Sequence, residues 1–173
     1  MRVIRGVAPG PPPSVSPTRE IQMPLELGKK APDFTLLDQD GKKVKLSDFK
    51  GKRVVVFFYP KAMTPGCTRE ACDFRDEVAA FTKKKVAVLG ISKDTPAGQK
   101  KFQEKYELPF PLLSDAGLEV QKAWGVWGKK NMYGKMVEGT IRTTVIVGAD
   151  GKVEQLFGKV KVDGHVASIL EAL

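Results

Sequence analysis

Two cysteines, Cys67 and Cys72, stand five positions apart in the segment Tyr59-Pro60-Lys61-Ala62-Met63-Thr64-Pro65-Gly66-Cys67-Thr68-Arg69-Glu70-Ala71-Cys72. The thiolate, not the thiol, is the nucleophile in cysteine chemistry. Cys67 follows a Thr-Pro-Gly turn at the point where a strand-like run gives way to a helical period. A sulfur in the first turn of a helix faces unpaired backbone N–H groups and the positive end of the helix dipole, and both favour the thiolate. That position makes Cys67 a nucleophile candidate, against the alternative of a small buried hydrophobe. In an intact helix the five-residue spacing puts the two Cα atoms roughly 8.7 Å apart on different faces. A disulfide needs them within about 7 Å, so if the two cysteines react with one another, the first turn of the helix must unwind. Cys72 can otherwise be read as a helix-face residue beside Ala71.

The elements that position this segment follow from periodicity. Arg53 to Tyr59 is a continuous β-branched and aromatic run ending at Pro60, as expected of a central strand buried on both faces. Ala71, Phe74, Val78 and Phe81 recur at helical spacing and predict a helix from about Cys67 to Thr82. Val86 to Ile91 reads as a second buried strand, and Thr95-Pro96 opens a helix that carries Phe102 and Tyr106 to about Glu107. Phe34 to Leu37 and Val44 to Leu46 flank an Asp/Gly turn and predict an N-terminal hairpin. Ile141 to Val147 and Val153 to Phe157 flank Asp150-Gly151, a second hairpin. A short helix falls around Leu118 to Trp124, Gly125 to Gly139 reads as a surface loop, and Asp163 is placed to cap a last helix with Val166, Ile169, Leu170 and Leu173 inward. The order of these pieces implies an α/β fold with a central sheet flanked by helices.

Composition narrows the function classes. The 173 residues, 42% hydrophobic and 28% charged, suit one soluble domain whose core needs neither disulfide nor metal for stability. Residues 1–24 hold six of the twelve prolines and no hydrophobic period, so they read as an extension, and residues 25–173 as the domain. No apolar run reaches the length of a membrane span and no secretory h-region is present, which points to a cytoplasmic protein, with an organelle as the alternative because Arg2, Arg5 and Arg19 all come before the first acid, Glu20. The net charge is +9, but the lysine pairs are scattered among acids, which argues for a solvated surface and against nucleic acid. With two cysteines and one histidine, no metal site is expected, and no organic cofactor.

Taken together, Pro60-x-x-x-Thr64-x-x-Cys67 with Cys72 resembles the peroxiredoxins, specifically the PrxQ or bacterioferritin-comigratory-protein subfamily. The resemblance spans about Leu27 to Leu173 and takes in Ala31-Pro32-Asp33-Phe34, Leu112-Leu113-Ser114-Asp115, Trp124-Gly125-Val126-Trp127 and Arg142 within Ile141-Arg142-Thr143-Thr144. It implies a thioredoxin-like fold and a thiol peroxidase acting on hydrogen peroxide and organic hydroperoxides. Cys67 would be the peroxidatic cysteine and Cys72 the resolving one, joined as an intramolecular disulfide that thioredoxin or a similar dithiol reopens. Thr64 would hydrogen-bond the thiolate or the peroxide, Arg142 would hold the thiolate and polarise the peroxide, and Pro60 would shield the pocket from water. Monomer or weak homodimer is the expected state. His165 has no part in that chemistry, and Trp124 and Trp127 read as packing residues. The chain departs from many relatives at Gly98-Gln99, where they carry Ser-His, and at Ala62-Met63, where they carry a polar pair; the latter would make the pocket rim more apolar. A redox sensor that keeps the fold and passes oxidation to a partner is the rival reading.

Overall fold

The computed structural model describes residues 25–132 and 134–173. The proline-rich extension expected over residues 1–24 lies outside the described residues. Nine strands and five helices are present among those described. Strands β1 (Thr35–Leu37), β2 (Lys43–Lys45), β3 (Arg53–Phe58), β4 (Val86–Ser92), β5 (Leu112–Ser114), β8 (Thr143–Val147) and β9 (Val153–Phe157) form one sheet in the order β2-β1-β5-β4-β3-β8-β9. The pairs β3–β4 and β4–β5 are parallel, and the others are antiparallel, so the sheet is mixed. The helices are α1 (Pro65–Asp76), α2 (Val78–Lys83), α3 (Pro96–Tyr106), α4 (Glu119–Ala123) and α5 (His165–Ala172).

The period of two along β3 sorts its side chains into two cores. Val55, Phe57 and Tyr59 pack on one face with Cys67, Ala71 and Phe74 of α1, Phe81 of α2, Phe102 of α3 and Val166 and Ile169 of α5. Val54, Val56 and Phe58 pack on the other with Phe34, Val120 and Trp124. The Trp124 indole N–H donates to the Pro32 carbonyl, which ties the chain's entry to this second core. Both hairpins read from the sequence are present, as is the Thr95 cap, whose hydroxyl accepts from the Gly98 N–H at 3.1 Å.

Three expectations change. The helix expected from Cys67 to Thr82 is two helices broken at Glu77, whose N–H is shared between the Asp73 and Phe74 carbonyls. No glycine or proline marks that break, and the apolar spacing runs through it, so periodicity could not show it. The stretch Gly125 to Gly139 is not a surface loop: β6 (Trp127–Met132) and β7 (Lys135–Thr140) form a separate two-stranded hairpin. Its strand β7 is exposed over Lys135 to Glu138, so no alternation of apolar and polar residues announced it. Asp163 does not cap α5. The cap is Gly164 in the left-handed region (φ 71°), and Asp163 instead reaches Arg69 of α1 at 2.5 Å.

Parallel pairing brings β3 and β4 side by side with Phe57 opposite Gly90. A Cβ on Gly90 would stand 2.9 Å from both Leu112 Cδ2 and Phe57 Cζ, closer than carbon atoms pack. Gly90→Ala therefore forces Phe57 out of its stack on Phe74, where the ring centroids are 4.5 Å apart. The expected loss is about 1–3 kcal/mol by urea unfolding, the usual range for overpacking a filled core.

Candidate active site

Strand β3 ends at Phe58, and the chain turns through Tyr59 and half-buried Pro60 into a loop that returns as α1. A buried network fixes that loop. The Tyr59 hydroxyl donates to Gln99 Oε1 at 2.5 Å, and Gln99 Nε2 donates to Ser92 Oγ and to the Leu113 carbonyl. Ser92 Oγ donates to Asp94 Oδ2, which also accepts the Ala62 N–H at 2.8 Å. Gln99, one of the departures from the common family pattern, thus joins β3, β4, β5 and α3 beneath the loop. Ala62 faces the core with Cys67 and is not on the pocket rim, whereas Met63 is exposed at a left-handed φ of 70°.

Both Thr64-Pro65 and Thr95-Pro96 open helices, but they use their hydroxyls differently. Thr95 caps α3, whereas Thr64 makes no side-chain cap on α1 and donates its hydroxyl to the Lys61 carbonyl at 2.8 Å. With its proton so committed, Thr64 Oγ1 faces other groups as an acceptor. The first amide of α1 to bond backward is that of Thr68, to the Thr64 carbonyl, so the N–H groups of Gly66 and Cys67 have no helical acceptor.

Cys67 is buried in the first turn of α1, and Cys72 is half-buried in the same unbroken helix. Both are free thiols. Arg142 arrives from across the sheet. Antiparallel pairing of β8 on β3 sets Thr143 opposite Phe58, so the residue before Thr143 stands at the end of β3 where α1 begins. Arg142 Nη2 lies 3.3 Å from Cys67 Sγ, and Nη1 donates to Glu70 Oε1 at 2.6 Å. A Cβ on Gly66 would stand 3.3 Å from Arg142 Nη2, so the glycine leaves the guanidinium its room. Of the five residues singled out from the sequence, Cys67 and Arg142 are in contact and Thr64 and Pro60 lie on the adjoining loop. Cys72 is displaced along the helix, and burial pushes its thiol upward from the ordinary value.

The family model described as AhpC/TSA matches residues 27–156. The chain belongs to the AhpC/TSA family. A putative peroxiredoxin of Mycobacterium tuberculosis is 52% identical over 145 residues, 84% of this chain and 92% of the relative. Peroxiredoxin Bcp of Escherichia coli is 48% identical over 150 residues, 87% of this chain and 96% of the relative. Among solved structures, the bacterioferritin comigratory protein of Xanthomonas campestris, studied for alkyl peroxide reduction, superposes with a TM-score of 0.79 at 36% identity, covering 85% of this chain and 96% of its own. The peroxidoxin BcpB of M. tuberculosis gives 0.76 at 39% identity, covering 86% and 96%. The fold is thioredoxin-like, and the chain is a peroxiredoxin of the PrxQ or bacterioferritin-comigratory-protein type, a class of thiol-dependent peroxidases that act on peroxides.

The sequence of this peroxiredoxin does not single out Glu70 and gives His165 no part; the structure brings the two together. Glu70 is fully buried, with Oε1 on Arg142 and Oε2 without a hydrogen-bond partner among the described residues. Its spacing of three from Cys67 puts it on the same helix face, and that spacing was the available signal. His165 of α5 is buried with its Nε2 2.8 Å from Thr144 Oγ1 and 3.9 Å from Glu70 Oε2, and its ring is flanked edge-on by Phe74 and Phe157. No spacing rule connects a C-terminal helix to α1. Among the described residues no cluster of three His, Cys, Asp or Glu side chains could hold a metal ion, and no helix is long and apolar enough to cross a membrane.

Burial raises the Glu70 carboxyl to about 7, against the opposing pull of Arg142. Burial, assisted by the Arg142 charge, lowers His165 to about 4. In the unfolded chain the two groups titrate near their ordinary values, 4.5 and 6.5. Between roughly pH 4.5 and 6.5 the folded protein therefore holds a proton on Glu70 and none on His165, while the unfolded chain holds it on the histidine. Each state binds one proton, so the pair leaves global stability flat with pH. Taken alone, Glu70 favours the fold at low pH and loses that contribution as pH rises through about 7; His165 disfavours the fold as pH falls from about 6.5 to 4. Relative to wild type, the urea midpoint of Glu70→Gln should fall as pH drops from 6.5 to 4.5, and that of His165→Gln should rise. Parallel profiles for all three proteins would show that the pair does not trade a proton.

Proposed function

We propose that this protein reduces hydrogen peroxide and organic hydroperoxides through a Cys67 sulfenic acid that Cys72 resolves as an intramolecular disulfide. The observation that carries the reading is the guanidinium of Arg142 placed 3.3 Å from Cys67 Sγ at the uncapped start of α1. The Cys67 thiolate attacks the nearer oxygen of the hydroperoxide. The S–O bond forms as the O–O bond breaks, the sulfur is oxidised to sulfenic acid, and the departing oxygen takes a proton and leaves as water or an alcohol. Arg142, and the N–H groups of Gly66 and Cys67 left without a helical acceptor, are the donors we assign to the charge that develops on the oxygens, since donors fixed in a dry pocket act most strongly. Thr64 Oγ1, its O–H already donated in a hydrogen bond to the Lys61 carbonyl, accepts from the hydroperoxide O–H and so aligns it. Pro60, half-buried at the mouth, keeps water from the sulfur.

Resolution uses the second thiol. The Cys72 thiolate displaces hydroxide from the Cys67 sulfenic acid, an S–S bond forms and water leaves after proton uptake. The helix must open for this, because intact α1 holds the two Cα atoms roughly 8.7 Å apart. The opened disulfide is then exposed to attack by a dithiol, for which thioredoxin is our choice. The exposed Met63 at the loop's tip gives the rim an apolar contact for organic hydroperoxides. The cytoplasm, whose thiol systems keep cysteines reduced, suits an enzyme that needs a dithiol to reopen its disulfide.

Peroxide consumption with thioredoxin or dithiothreitol tests the reading. Cys67→Ser should fall to the uncatalysed rate. Wild type should lose about 2 Da after one equivalent of peroxide without reductant, while Cys72→Ser accumulates sulfenic or sulfinic acid. Arg142→Met should slow the peroxide step roughly 10²- to 10³-fold, the usual cost of removing one such donor. Wild type that oxidises once and is not restored by any dithiol would instead be a sensor.

A further inference from the structure

Glu70 is buried beside the reacting sulfur, yet the chemistry above gives its proton no task. It also lies between the two cysteines in sequence. Any loop that closes Cys67 onto Cys72 contains Glu70, so the disulfide cannot form without rebuilding the backbone that carries this carboxyl. We propose that Glu70 is a proton-linked latch on α1: protonated, it stays seated between Arg142 and His165 and keeps the helix closed, and it releases a proton to solvent when the helix opens for Cys67 and Cys72 to join. The proposal rests on the resolving role given to Cys72.

The groups around Glu70 make the seat specific. From the start of β8, Arg142 holds Oε1 at 2.6 Å. From α5, His165 stands 3.9 Å from Oε2, with its Nε2 already engaged by Thr144 Oγ1 at 2.8 Å. Asp73, on α1 itself, adds a like charge, and Cys67 Sγ lies 3.3 Å from the other terminal nitrogen of Arg142. Lys130 of β6 adds positive charge near Arg142, while its ammonium is tied to the Thr140 carbonyl. Oε2 is thus buried with no hydrogen-bond partner among the described residues and with His165 Nε2 3.9 Å away, an unfavourable place for a full negative charge and an acceptable one for a carboxylic acid. Among the described residues Arg142 is the one charged side chain hydrogen-bonded to Glu70, and it contacts the sulfur as well.

The direction of the pH effect follows. In closed α1 burial holds Glu70 at about 7, and opened to water it returns toward the ordinary 4.5. The closed helix therefore binds the extra proton between those limits, and raising pH through that interval shifts the equilibrium toward the open, disulfide-competent helix. The gap sets a ceiling of about 300-fold on the shift. His165 stays on α5 when only α1 opens, so it does not offset the effect as it does in global unfolding.

The test follows Cys67–Cys72 closure after one equivalent of peroxide, by acid quench and intact mass, from pH 5 to 7.5 in the full-length wild type and in Glu70→Gln. Ionisation of Cys72 raises both rates with pH, so the comparison is between slopes. The wild-type rate should rise at least tenfold more than that of Glu70→Gln across this range. Infrared difference spectra at pH 6 read the proton directly: the carbonyl band of a protonated carboxylic acid should be present in the reduced protein, be lost on conversion to the disulfide, and be missing from Glu70→Gln. Glutamine preserves size and an oxygen for Arg142, and near-ultraviolet circular dichroism checks its fold. A disulfide that forms with equal slopes and an unchanged band overturns the latch alone. Failure of wild type to lose 2 Da removes the resolving role of Cys72 and the latch with it.

Discussion

One guanidinium serves two neighbours. Arg142 Nη1 is on the Glu70 carboxyl and Nη2 is on the Cys67 sulfur, so the charge state of the first sets how much of the cation is left for the second. In the proposed reaction Cys67 acts as a thiolate; a cation shared by that thiolate and an ionised Glu70 leaves one negative charge in excess, whereas a protonated Glu70 leaves a balanced pair in a site where isolated charge is costly. Much of the fold exists to bring these three groups together. Antiparallel pairing of β8 on β3 fixes Arg142 at the strand end, the Tyr59–Gln99–Ser92–Asp94 network fixes the loop that starts α1, and the three-residue helical spacing carries Glu70 to the face that Cys67 shares.

Helix α1 is anchored at one end and weak at the other, and the weak end is the one that the proposed Cys67–Cys72 disulfide requires to open. Downstream, Ala71 and Phe74 are fully buried, with Phe74 stacked on Phe57 and edge-on to Phe110. Upstream, Thr64 withholds its cap, Gly66 occupies the second helical position, and Thr68 Oγ1 and Glu70 Oε2 are buried without partners among the described residues. A missing cap and a helical glycine each cost about 1 kcal/mol, and an unsatisfied buried polar atom costs about 1–3 kcal/mol. These costs fall on the segment from Thr64 to Glu70 and spare the turns that hold α1 to the sheet. Opening can therefore stay local, in the way that low-stability units open within an intact domain.

What the sequence made legible was what short-range rules govern. The β-branched run of β3, the two Asp-Gly hairpins and the Thr95 cap are local features, and all are present. The cysteine segment and Arg142 were picked out through family resemblance, and the fold then put Arg142 against Cys67. Glu70 was missed although its spacing was visible, because a carboxylate in an amphipathic helix is ordinarily read as the solvated face. His165 could not have been placed: its nearness to Glu70 depends on how α5 crosses α1, a packing outcome without a local code. The β6–β7 hairpin escaped because exposure on both faces erases the alternation that marks a strand, and Asp163 was misjudged because Arg69, a partner on another helix, competes for it.

The opposed titrations of Glu70 and His165 separate local opening from global unfolding. When the whole chain unfolds, one group gives up a proton and the other takes one, and the folded protein as a whole is insensitive to pH between about 4.5 and 6.5 from this source. When only the first turns of α1 open, Glu70 alone is released, because His165 belongs to α5 and stays held by Thr144 and Phe157 outside that helix. A single buried carboxyl can then make one motion depend on protons without making the fold depend on them. Placing the compensating histidine on a different element is what achieves this separation. The same pair on one helix would leave together, and the opening would be as indifferent to pH as the fold.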